Sequence, residues 1–121
     1  MILAPLTAVA LVVSVATAPM IDRNAAVPMS VQQKSAAVQP LLRSATECIA
    51  RTVTADPRFR QPGSDVGDLI VDSMSTCMPQ VRAMIAAYDR YFGEGSGEAF
   101  FMGPYLDVLP TAVSKWAKDA Q

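Results

Sequence analysis

Residues 65–93, DVGDLIVDSMSTCMPQVRAMIAAYDRYFG, decide how this chain folds. Val66, Leu69, Ile70, Met74, Cys77, Met78, Val81, Met84, Ile85, Tyr88 and Phe92 recur at steps of three and four, the period of one helix face. Asp65 is the natural N-cap, because its carboxylate can take backbone N–H groups that have no partner in the first turn. Asp68 adds negative charge at the positive helix end, and Gly93 marks the stop. Pro79 falls inside the run and has no N–H for the carbonyl four residues back. A kink or break is therefore expected near Cys77 and Met78.

Upstream, Ser30 and Gln33 make a capping-box pattern. Val31, Ser35, Val38, Leu42, Ala45, Ile49 and Thr52 follow at helical spacing, and Leu41 and Cys48 widen that face. Pro40 predicts a kink or a fresh helix start. Between the two runs, ADPRFRQPGSD (55–65) packs prolines, a glycine and mixed charges into one breaker. No stretch sustains strict polar–apolar alternation, so strands are not expected.

Cys48 and Cys77 are the two cysteines of the chain. In an oxidising compartment, a pair without CxxC spacing reads as a structural disulfide; two free buried thiols are the alternative. In a simple antiparallel hairpin the residue level with Cys48 is near Val71, about 9 Å of helix rise short of Cys77. A bond requires the helices to cross at an angle, or the loop to displace one along the other.

Downstream lies GEGSGEAFFMGPYLDVLP (93–110). The glycines read as a helix stop and a flexible reversal, followed by a return segment. Phe100, Phe101, Met102 and Tyr105 are too dense for a solvated loop. They pack across the helices, or they form an apolar patch that receives a partner. A short last helix is expected from Pro110, with Val113, Trp116, Ala117 and Ala120 on its apolar face and Lys115 and Lys118 near its negative end.

The first 21 residues carry no charged side chain, and LTAVALVVSVATA (6–18) is an apolar run ending in small residues. Residues 1–18 read as an export signal, with cleavage near 16–18, although no Lys or Arg precedes the run. Residues 19–29 read as a flexible mature N-terminus and 30–121 as one helical domain. A retained anchor is the alternative, but the run is short and bracketed by Pro5 and Pro19. The expected location is periplasmic or secreted, with no stable membrane anchor after cleavage.

Composition narrows the chemistry. With no His there is no imidazole base and no His-based metal site, so an enzyme and a cofactor are not expected. Ten basic residues against eleven acidic ones give no electrostatic footprint for nucleic acid. Asp65, Asp68 and Asp72 share one side of a helix, which reads as a charge-complemented first turn and a solvated face rather than an acid/base cluster. A calcium loop starting at Asp89 would put Phe100 at its bidentate carboxylate position. The glycines after residue 92 follow a helix instead of opening one, so they do not make a nucleotide loop. Met74, Cys77 and Met78 place two thioethers and a thiol on one face, a soft-ligand set that would suit copper(I), although Met at helical spacing more often fills core gaps.

CIARTVTADPRF (48–59), DSMSTC (72–77) and GEAFFMGPYLDVLP (97–110) resemble segments of a group of small exported two-cysteine helical proteins of bacteria. The resemblance covers most of the mature chain and brings no activity and no assigned site. Small helical, disulfide-bonded acid-activated chaperones of the periplasm are similar in architecture alone, which does not transfer function. The expectation is an all-α bundle of three to four helices stapled by Cys48–Cys77. Its expected role is a non-catalytic binding protein, chaperone-like in one form, that engages another protein through Phe100, Phe101, Met102 and Tyr105. A small-ligand or copper(I) carrier is the alternative.

Overall fold

The computed structural model describes residues 28–120. The chain divides into Met1–Ser30 and Val31–Gln121, and the fold described here is that of the second unit. The expected export signal (1–18) and most of the expected N-terminal tail (19–29) lie outside the described residues. Helix α1 spans Val31–Ala55 and α2 spans Val66–Phe92. A third helical run consists of α3 (Ser96–Phe100), a π turn (Phe101–Tyr105) and α4 (Leu106–Asp119). There is no strand among the described residues, and no described helix is long and apolar enough to cross a membrane. The small disulfide-stapled helical bundle expected from the sequence is the fold that forms.

Neither the fresh start considered at Pro40 nor the break considered at Pro79 occurs; both prolines lie inside continuous helices. The carbonyls they orphan belong to Ala36 and Ser75, which are exposed, so water can take the missing bonds. A proline on a wet helix face costs far less than one facing the core.

The helices are joined by a short 3₁₀ turn, Pro57–Arg60, capped by Asp56. The Asp56 carboxylate accepts the Arg58 N–H at 2.9 Å and pairs with its guanidinium at 2.8 Å. Arg58 also reaches Asp72 of α2 at 2.9 Å, tying the turn to the second helix. Asp65 caps α2 as read, accepting the Gly67 N–H at 2.8 Å.

Cys48 and Cys77 are bonded, with Cα atoms 5.8 Å apart. From Cys48 to the end of α1 is about 10 Å of rise, and from the start of α2 to Cys77 about 16 Å. In an antiparallel pair, α2 must therefore start about one turn beyond the end of α1. The connection supplies that displacement, which resolves the register mismatch. At the other end of the pair, Lys34 Nζ sits 5.8 Å from the centre of the Phe92 ring.

The third run corrects the expected loop. Reversal takes only Gly93 to Gly95, both glycines having positive φ (111° and 89°) that side chains avoid. Asp89 of α2 accepts the Gly97 N–H at 2.8 Å, and Ser96 Oγ lies 3.0 Å from the Tyr88 carbonyl. The return segment then starts at once as helix. Pro104 cannot donate to the Phe100 carbonyl, so the chain widens into a π turn in which the Leu106 N–H reaches the Phe101 carbonyl. The last helix begins at Leu106, four residues before the expected start, and carries Pro110 inside it. It runs beside α1 in the same direction: Tyr105 meets Thr46, while Trp116 and Ala120 lie by Thr54.

All three runs feed one core. Ala45, Ile49 and Val53 come from α1, Leu69, Ile70, Cys77, Val81 and Met84 from α2, and Tyr105, Leu109 and Val113 from the third run.

Candidate functional site

The aromatic cluster of the third run divides between core and surface. Tyr105 is buried, at 3 % exposure. Phe100 and Phe101 are half-buried, and Phe100 stacks on Tyr88 with ring centres 4.2 Å apart. Met102 points outward at 62 % exposure. The four residues named from the sequence therefore do not form one exposed patch: one is core, two are shoulders of the core and one faces solvent.

They do border a feature that could receive something. An apolar hollow of about 240 Å³ opens between α1 and the third run. Phe100 and Tyr105 form its inner wall with Leu109, Leu42 and Thr46 supply the α1 side, and Pro104, Val108 and Ala112 complete the α4 side. Val108, at 56 % exposure, stands at its edge. The π turn places Pro104 one turn before Val108, with Ala112 a turn beyond, so three small or branched apolar residues make a continuous stripe.

The polar atoms of this lining are committed to one another. Thr46 Oγ1 donates its single hydrogen to the Leu42 carbonyl at 2.8 Å. Tyr105, 2.9 Å from Thr46 Oγ1, must then be the donor between the two hydroxyls. Burial pushes the Tyr105 phenol upward, against a smaller lowering by the Thr46 hydrogen bond, and burial also raises Tyr88. Both phenols are neutral at neutral pH. The hollow offers apolar contact, with its hydroxyl hydrogens already spent.

A second hollow, about 320 Å³, lies between Thr54, Phe59, Arg60, Trp116, Ala117 and Ala120. It is the larger of the two, but Arg60 and Thr54 make its lining partly polar. The smaller hollow has the more apolar lining and is the better fit for an apolar group.

The soft-metal set does not present three free donors. Cys77 Sγ is bonded to Cys48, Met74 packs against the core and Met78 is half-buried. No group of three or more His, Cys, Asp or Glu residues able to hold a metal occurs among the described residues. The Asp65, Asp68 and Asp72 side of α2 also resolves into separate tasks: Asp65 caps the helix and Asp72 pairs with Arg58.

Sequence reading missed Leu42, Thr46, Pro104, Val108, Leu109 and Ala112 as lining residues. The spacing of Pro104, Val108 and Ala112 was the available signal, hidden because Pro110 reads as a helix start. No family model, no characterised protein and no solved structure matches the chain.

Proposed function

We infer that this is an exported, non-catalytic helical binding protein that takes an apolar group of a partner protein into the hollow between α1 and the π turn. The observation that carries the reading is the lining itself: Leu42, Phe100, Pro104, Val108 and Ala112 around a 240 Å³ space. A space of that size suits one or two large apolar side chains, the kind of anchor that dominates protein recognition. Met102 and Val108, both exposed, extend the apolar surface beyond the rim. Such a receptor serves a chaperone-like role, in which client segments expose apolar side chains.

Export is supported by the uncharged apolar run 6–18 and by a disulfide, a bond that persists in oxidising compartments. The resemblance of three segments to small exported bacterial proteins points the same way.

A small apolar ligand is the second reading, favoured by the almost wholly apolar lining of the hollow. The copper form of the carrier reading is weaker, because Cys77 has no free thiol.

The test uses Val108→Asp, which sets a charge at the rim without touching the buried core. Aggregation of a heat-denatured model enzyme is followed by light scattering, beside binding of a fluorescent apolar dye. Suppression of aggregation by the wild-type chain, lost in the variant, supports the protein reading. Dye binding lost in the variant, with aggregation never suppressed, supports the small-ligand reading. Neither activity in the wild-type chain overturns both.

A further inference from the structure

The two sulfurs of the disulfide are not equivalent. Cys77 is completely buried, at 0 % exposure, in the core with Ile49, Val81 and Met84, whereas Cys48 is half-buried against that core. Thr52, one turn along α1 from Cys48, holds its Oγ1 3.6 Å from Cys77 Sγ. A bonded sulfur carries no hydrogen, so that contact can use only the Thr52 hydrogen, which is already donated to the Cys48 carbonyl at 2.8 Å. A thiolate at Cys77 would change the competition. Hydrogen bonds to ionised acceptors are about twice as strong as neutral ones, so the Thr52 hydrogen would turn from the carbonyl to the sulfur.

We propose that Cys48 is a site of reversible S-thiolation by small monothiols, with Cys77 as its resolving cysteine and Thr52 as the residue that stabilises the departing sulfur. The thiolate of the small molecule attacks Cys48 Sγ and forms a new S–S bond there. The Cys48–Cys77 bond breaks, and its electron pair leaves on Cys77 Sγ as a thiolate. One disulfide is exchanged for another, so no separate oxidant or reductant is consumed. In the return step Cys77 attacks Cys48 Sγ, re-forms the native bond and expels the small thiolate. Attack on Cys77 requires the core to open first. Exchange is faster when the departing thiolate is stabilised, and in the buried surroundings of Cys77 the Thr52 hydroxyl is placed to do so.

The experiment treats the oxidised protein with reduced glutathione, quenches in acid and maps adducts by mass spectrometry while circular dichroism confirms that the chain stays folded. The adduct is expected on Cys48, with the free thiol on Cys77. Thr52→Val is expected to slow adduct formation roughly three- to tenfold, and Thr52→Ser to restore it, since hydrogen bonds to charged acceptors are worth more than neutral ones. An adduct on Cys77, equal labelling of both cysteines, no adduct in the folded chain, or an unchanged Thr52→Val rate each overturns the proposal. A rate that climbs in step with added urea traces attack to the unfolded chain and overturns it equally. The map on the wild-type chain stands even if the Thr52 variants fold poorly.

Discussion

Gly97 lies against the backbone of Ile85 with no room for a side chain. A Cβ built there falls 2.8 Å from the Ile85 carbonyl carbon and closer still to its oxygen. Backbone cannot rotate away as a side chain can, so Gly97→Ala must push α3 off α2. The expected cost is about 2 to 3 kcal/mol, the upper part of the overpacking range. Gly103→Ala is the paired control: its Cβ meets nothing within 4 Å. Restricting that glycine narrows the unfolded ensemble, but Pro104 behind it disfavours helical backbone for a residue with a Cβ, so the net change is expected to stay within about 0.5 kcal/mol of zero. Urea midpoints check the pair: a clear drop for Gly97→Ala beside a nearly unmoved Gly103→Ala.

Tyr105 gives the fold an alkaline limit. Burial, the larger influence, raises its phenol above the ordinary value of 10.0, so the folded chain holds that proton more tightly than the unfolded one. Its contribution is therefore complete below pH 10 and declines as pH rises through the folded value. Tyr105→Phe removes the titration and the hydrogen bond to Thr46 together, and is expected to cost about 1 kcal/mol at neutral pH. Stability measured across the alkaline range should fall less steeply in the variant than in the wild type.

Asp56 does the opposite at the acid end. The Arg58 side chain and then its backbone N–H hold the Asp56 carboxyl at about 2, below its ordinary 3.8. Its contribution is present above pH 3.8 and is lost as pH falls towards about 2. Both partners are solvated, so the effect is small. Asp56→Asn should flatten the acid limb of the stability profile in that window and leave the neutral plateau nearly level. An unchanged acid limb would show that the turn does not depend on this pair.

Removing the disulfide is the largest single change foreseen. Cys48 and Cys77 are 29 positions apart, and opening a loop of that length releases unfolded-chain entropy worth roughly 3 to 4 kcal/mol. The Cys48→Ser, Cys77→Ser double variant should lose about that much by urea titration, a large share of the stability of a chain this size. A loss under about 1 kcal/mol would mean that the helix pair needs no staple.

Helix faces were legible because apolar spacing survives any tertiary detail: Val38, Ala45, Ile49, Leu69, Ile70, Val81 and Met84 are all buried where periodicity put them. Val31 and Ser35 continue the same spacing but are exposed, since they lie in the first turns of α1, where the helix end leaves the core. The caps Asp65 and Gly93 were legible because they act within a few residues. Prolines misled the reading in the same local way. Pro79 and Pro110 look like punctuation until it is known that one faces water and the other follows a widened turn. The hollow was beyond reach because its walls, Leu42 and Val108, are 66 positions apart and no periodicity relates them. Only the docking of the third run beside α1 brings them together.

The placement of the staple has a consequence for how the molecule breathes. The covalent ring closes at Cys48 and Cys77, yet Leu42 and Thr46 precede it and every residue from Phe100 to Ala112 follows it. Both walls of the hollow thus belong to the two free tails of a tied loop. The ring limits how far the helix pair can separate, but only noncovalent contact holds the third run down. Amide protons of α4 should exchange through a partial opening that leaves those of Ile49 and Val81 protected. A hollow built outside the ring can widen while the crosslinked pair stays shut.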